Sequence, residues 1–491
     1  MADNEEKGKN DKKTGGLLGS FIEYFYGNFV VLLLGLISLP LITRIMSTDE
    51  YGRTAMFTSA VSIIYIFAIL GLDQSYIRYF YRDGVDKRTL LIRCLKYPFF
   101  LILALSFIYV LLSSYLNNFL FGRDTTDITV LVAAYVITSV FERFLFLNIR
   151  MEQNGKLYSN LNILSKVLYI AFIVIFVKLL GDDFRVVLYA MTLPLIIVTV
   201  YLGIRFKRLG SKAVPSPHTV TDRELLVYGI PFVPTLLMEW LLSSMDKWSI
   251  KIFNDFSETG IYSAAMQIMS VILTLKITFV AFWSPIAMEK YEKEPEEECK
   301  AFFRQIFDRV QFLCLSAAFM ITIFRGIIVL ILGEDYRGAI RIIPFLTLMP
   351  ILSILFEMTG QGIKFTRKTI YFNYASAAAI TCNLIGNTLL VPRYRGVGAA
   401  LATALTYIVY FFIGTYYSKK CYRVEYDYRG FVISLILYMG YAAFSTVSGN
   451  VLTSALAGLL VLLLHLFFNR KTLAELWELS LQTIKEFRSK K

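Results

Sequence analysis

Apolar residues run along this chain in blocks rather than in alternation. Stretches rich in Leu, Ile, Val, Phe and Ala recur from residue 23 to residue 468, each separated from the next by a short polar or charged segment. Each block is long enough to cross roughly 30 Å of hydrocarbon as a helix and too long for a barrel strand. In lipid a helix satisfies its own backbone, which an unclosed sheet cannot do. The pattern predicts an all-α integral membrane protein of about fourteen transmembrane helices. The spans fall near residues 23–43, 54–75, 97–116, 128–149, 157–178, 186–204, 226–250, 261–286, 310–332, 340–362, 371–391, 397–417, 430–448 and 451–468.

Composition agrees: the chain is 56% hydrophobic and only 18% charged, where a soluble protein carries about 25% charged residues. A net charge of +13 raises the question of nucleic acid, but the bases alternate between loops instead of forming one patch. About 35 of the 50 Lys and Arg fall on one side and about 10 on the other, so that side is cytoplasmic by the positive-inside rule. An even number of spans then leaves both termini in the cytoplasm, with no nucleic-acid partner. The first apolar block is too long for a signal-peptide core. Cys94, Cys299, Cys314, Cys382 and Cys421 are scattered, which leaves no disulfide framework. His218 and His465 lack partners at metal-ligand spacing, so no metal site is expected.

The segment RFKRLGSKAVPSPHTVTDRE at 205–224 divides the chain into six spans and eight. It ends in a capping-box pattern, Thr221 to Glu224. Ser47–Gly52 (STDEYG) and Asn254–Gly260 (NDFSETG) occupy equivalent places, each between the first two spans of its half, with an acid two positions before the glycine. Such a parallel repeat is typical of transporters. The expected organisation is a disordered tail at 1–20, a six-helix lobe at 21–206 and a linker at 207–224. A second six-helix lobe at 225–420, an accessory helix pair at 421–470 and an amphipathic tail at 471–491 follow. In that tail Leu473, Trp477, Leu481 and Ile484 form an apolar stripe suited to a bilayer surface, after a capping-box pattern at Thr472 and Glu475.

Several stretches resemble the Wzx-type polysaccharide flippases (O-antigen, capsule and teichuronic acid transporters) of the multidrug/oligosaccharidyl-lipid/polysaccharide exporter superfamily. They are LGLDQSYIRYFY at 70–81, YGIPFVP at 228–234 with Asp246 and Lys247 after it, and LGEDY at 332–336. Asn383 and Asn387 followed by VPRYRGVGAA at 391–400 is the most specific. The resemblance covers about residues 20–420 and implies two pseudo-symmetric six-helix lobes plus a C-terminal helix pair. It implies alternating access, no catalysis, and a bacterial cytoplasmic-membrane location. The implied substrate is undecaprenyl-diphosphate-linked oligosaccharide, handled beside membrane lipid and a polysaccharide polymerase or chain-length machinery. Lys247 stands where relatives often carry Arg, which weakens a bidentate phosphate contact there.

A charge at the bilayer centre costs roughly 2.5–3.5 kcal/mol on insertion scales, so intramembrane charges mark a path or a pair. Lys276 is mid-span with no acid within a helical turn and ranks first as a diphosphate contact; Lys166 follows on the same grounds. Lys247, Arg143, Arg325 and Arg78 complete the basic candidates, each weighed against simple snorkelling. Glu142, Asp73, Glu239, Asp246 and Glu357 are the intramembrane acids. Of these, Glu239, Glu357, Asp246 and Asp73 are the candidates for coupling to a proton or sodium gradient, with structural ion pairing as the alternative. No cofactor is expected. A lipid II flippase, a multidrug or cation antiporter and a membrane glycan polymerase remain as rival functions.

Overall fold

In the computed structural model, residues 26–208 and 220–489 are described, and every regular element among them is helical. The predicted tail at 1–20 and most of the linker, with Pro215, Pro217 and His218, lie outside them. The crossing helices are α1 (Tyr26–Ile45), α2 (Thr48–Ile69), α3 (Lys87–Leu111), α4 (Thr126–Met151), α5 (Gly155–Leu180) and α6 (Arg185–Lys207). Then come α7 (Asp222–Phe253), α8 (Phe256–Lys293) and α9 (Glu296–Ile323). A bent pair, Glu334–Arg341 and Ile343–Thr359, supplies α10 in its second member. The element Ile370–Cys421 is two helices joined at Arg395 (φ 50°, ψ −133°), giving α11 at 370–394 and α12 at 396–421. The last are α13 (Tyr428–Val447), α14 (Val451–Phe468) and the tail helix α15 (Arg470–Ser489).

Helix ends depart from the hydropathy boundaries for a physical reason. Apolar windows report the lipid-spanning core, while helices continue into the polar layer with charged first turns. Thus α2 starts at Thr48 with Asp49 and Glu50 in its first turn, and α9 starts at Glu296, fourteen residues before the expected 310. Asp73, Gln74 and Arg78 do not ride on the second span. Left-handed Leu70 and Gly71 end it, and a separate short helix, Leu72–Tyr79, carries them. The Thr221–Glu224 capping box forms as expected. The Thr472–Glu475 box does not: α15 already begins at Arg470, and Glu475 lies 3.7 Å from Arg309 of α9.

The chain divides into two compact units, Met1–Trp240 and Leu241–Lys491. The division falls within α7, beyond the linker. The reason is visible at Gly229. A Cβ on Gly71 would stand 2.2 Å from the Gly229 carbonyl oxygen, and one on Gly229 would stand 2.9 Å from that of Gly71. Ser75 Oγ donates to Leu225 O at 2.7 Å beside them, and Trp240 Nε1 donates to Ser59 O at 3.0 Å. The start of α7 is therefore packed backbone to backbone against the first unit, as small residues allow in membrane helices.

Each unit fastens its second helix to the turn before its sixth in the same way. In the first, Ser47 N donates to Asp182 Oδ1 at 3.0 Å and Phe184 N to Glu50 Oε2 at 2.8 Å. In the second, Asn254 Nδ2 donates to Val391 O at 3.3 Å and Gly396 N to Glu258 Oε1 at 3.0 Å. These are the residues of STDEYG and NDFSETG. Buried Glu50 also takes Arg123 at 2.7 Å and Arg53 at 3.3 Å. The accessory pair packs on α9: buried His465 bridges Ser316 and Ser434 at 3.1 and 2.8 Å.

Candidate functional site

In the second unit, α8 places Lys276 against α10. Its Nζ donates to Ser353 Oγ at 2.7 Å and lies 3.3 Å from Glu357 Oε1. Lys364, on the short helix Gln361–Phe365 after α10, reaches the other oxygen of Glu357 at 3.0 Å. Gln361 Nε2 donates to the Glu357 carbonyl at 2.7 Å. Two ammonium groups thus share one carboxylate, which leaves one positive charge in excess in a partly buried cluster. Lys276 has an acid after all, on a helix whose sequence position is too distant for local spacing to reveal.

Asp246 of α7 lies deeper, at 3% exposure. Asn383 and Asn387 of α11 donate to Oδ1 at 3.0 and 2.8 Å. Tyr262 of α8 and Thr403 of α12 donate to Oδ2, each at 2.5 Å. Four neutral donors from three helices hold a single carboxylate, and the Oδ1 of Asn387 is left without a partner among the described residues. Charge-assisted hydrogen bonds of this kind are what make a buried carboxylate tolerable. The two asparagines belong to the most specific motif in the sequence; Tyr262 and Thr403 carry no sequence signal.

The first unit holds the remaining bases. Arg143 of α4 is bound to Asp73 through Nη2 at 2.7 Å and Nε at 3.2 Å. Lys166 of α5 stands over the Tyr169 ring at 4.4 Å. Both border open cavities, of about 340 and 300 Å³. Other candidates are not gathered there. Arg78 is exposed on its short helix, Glu239 is exposed on α7, and Lys247 is half-buried beside Asp246. Arg325, at 2% exposure, donates to the carbonyls of Thr322 and of Ser445 on α13, at 3.1 and 2.8 Å. Its charge is engaged by the accessory pair. Outside the spans, Glu425 accepts from Lys419 and Arg423 at 2.7 and 2.8 Å, which holds its carboxyl down at about 2.

Residues 17–289, more than half of the chain, match the polysaccharide biosynthesis protein family. The probable low-salt glycan biosynthesis flippase Agl15 of Haloferax volcanii is 21% identical over 413 residues, which covers 84% of this chain and 85% of that one. Among solved structures, the lipid II flippase MurJ in an inward-closed conformation aligns with a TM-score of 0.64 at 14% identity, over 92% of this chain and 100% of that one. An inward-facing MATE family multidrug resistance transporter of the MOP superfamily gives 0.52 at 14% identity, over 79% and 98%. These likenesses establish the fold. Among the described residues twelve elements are long and apolar enough to cross a membrane, one of them the kinked α11–α12 pair, with the broken span α10 besides; with the family match, this chain is a multi-pass membrane protein of the polysaccharide biosynthesis protein family.

Proposed function

We propose that this protein is a flippase moving undecaprenyl-diphosphate-linked oligosaccharide from the inner to the outer leaflet of a bacterial cytoplasmic membrane, by alternating access and with both termini cytoplasmic. The observation that carries the reading is the Lys276–Glu357–Lys364 cluster, where two bases share one acid. An unneutralised cation within a membrane-spanning unit is costly unless it meets an anion. Lys364 sits just before the basic loop that holds Arg367 and Lys368, so the cluster stands near the end at which a cytoplasmic diphosphate arrives. The diphosphate competes with Glu357 for the two ammonium groups, and release follows when Glu357 takes them back. The hydrocarbon tail stays in lipid.

Coupling is assigned to Asp246. Its four donors are all neutral, so a proton or a sodium ion arriving there changes the net charge of the unit without breaking an ion pair. A polymerase or chain-length machinery would receive the product. The test is complementation of a flippase-deficient strain with Lys276→Ala and Lys364→Ala, at matched membrane levels. Surface glycan falling at least tenfold, with lipid-linked intermediate accumulating on the inner leaflet, is expected. Full export by both variants would sink the proposal.

A further inference from the structure

The two cavities of the first unit adjoin, with Tyr135, Glu142 and Asn162 lining both. Their volumes fit the range of roughly 300–1,000 Å³ common for small-ligand pockets. Glu142 makes no ion pair or hydrogen bond among the described residues, because its neighbour Arg143 is turned to Asp73. Among the described residues Lys166 is held only by the face of Tyr169. Ser165 Oγ is buried without a partner among the described residues. Asn162 gives one amide hydrogen to the Tyr158 carbonyl at 2.8 Å, which leaves its Oδ1 to accept and its second amide hydrogen to donate. Acceptors (Glu142, Asn162) and donors (Lys166, Ser165) therefore line one chamber and leave each other unpaired.

Polar groups left unpaired in a low-dielectric interior are costly, so the complement of this lining states what fits it. A phosphate offers only acceptors and is repelled by Glu142. A cationic ligand is repelled by Lys166. A neutral sugar ring offers both at every hydroxyl, and its apolar face suits the tyrosine rings that line the cavities. We infer that the chamber of the first unit is a subsite for neutral sugar residues of the transported glycan, with Glu142 accepting from hydroxyl groups and Lys166 donating to them. This rests on the glycan-flippase reading but is separate from the diphosphate cluster. It adds Glu142 as a specificity-determining residue.

The experiment uses the full chain carrying Ser139→Cys, a substitution on the chamber wall, in inside-out membrane vesicles. Labelling of the introduced thiol by a maleimide is read above the wild-type background. Two probes are added: the lipid-linked glycan fraction extracted from the flippase-deficient host, and sugar-free undecaprenyl diphosphate. The glycan-bearing lipid should protect the thiol and the sugar-free lipid should not. Adding Glu142→Gln should raise the half-protecting concentration at least tenfold, and Glu142→Asp should restore part of it. Equal protection by the sugar-free lipid would overturn the inference in favour of a diphosphate site. No protection by either probe, in vesicles that still export glycan, would overturn it outright. If the deficient host accumulates no lipid-linked glycan, the flippase reading falls and takes the subsite with it.

Discussion

Glu258 accepts the backbone N–H of Gly396 at 3.0 Å, closing the start of α8 onto the turn between α11 and α12. Glu50 does the same for Phe184 in the other unit, with two arginines added. Replacing Glu50 by Gln leaves one acceptor oxygen where two now serve a buried N–H and two guanidinium groups, although Arg53 keeps Asp49 and Arg123 keeps Asp183. Because Arg123 is well exposed, its share is discounted for solvent screening. Glu50→Gln should therefore cost about 1–3 kcal/mol, and Glu258→Gln less. Thermal unfolding of the two variants in detergent tests the ranking; equal midpoints would contradict it.

Glycines in the family-like motifs make a second prediction. A Cβ on Gly398 would stand 2.4 Å from the Leu390 carbonyl oxygen, across the α11–α12 turn. Gly71 faces Gly229 as closely and has φ +67°, a conformation that costs a side chain about 1 kcal/mol or more. Gly71→Ala and Gly398→Ala should each destabilise by roughly 1–3 kcal/mol through overpacking. Gly35→Ala and Gly440→Ala, with nothing within 4 Å, should be tolerated. Folded yield by fluorescence-detected size exclusion separates the two groups, and equal yields would refute the argument.

What was readable in the chain follows from how far apart interacting residues lie. Apolar runs locate helices because crossing lipid is a local property of some twenty residues. The repeat of Glu50 and Glu258 was readable as a motif, but its purpose was not, since the turns they hold lie more than a hundred residues further on. Gly71 and Gly229 were both visible within motifs, while their mutual contact was not. Asp246 was a candidate from its own position; its donors come from three other helices, and only the asparagine pair had a helical spacing to betray it. Local spacing ranks Lys276 first because no acid lies within a helical turn, a criterion blind to Glu357 on another helix.

The accessory pair yields a third prediction. His465 is fully buried, stacks on Phe312 and bonds two serines from α9 and α13. Asn469 adds a bond to Ser434 at 2.9 Å. His465→Ala removes both serine bonds and opens a cavity, so a loss of about 2–4 kcal/mol is expected. Protease sensitivity of the segment after Cys421 should rise while the first unit stays protected. Unchanged protection of α13 and α14 would show that this network does not hold the pair.

Asp246 supplies the last prediction. Asp246→Asn is nearly isosteric, yet it replaces one acceptor oxygen by a donor among four donors. The mismatch should cost about 1–3 kcal/mol, small enough for the protein to reach the membrane. If Asp246 couples transport to an ion, flipping by this variant in vesicles should lose its response to an imposed gradient while retaining gradient-independent binding of the lipid-linked glycan. Imposing the pH gradient and the sodium gradient separately identifies the ion, since only the physiological one drives the wild type. Driven flipping that persists in Asp246→Asn would move the coupling site elsewhere, with Glu357 next in line. Substitution there also frees Lys276 and Lys364 from their shared carboxylate, so Glu357→Gln should change affinity for the diphosphate as well as coupling, whereas Asp246→Asn should change coupling alone.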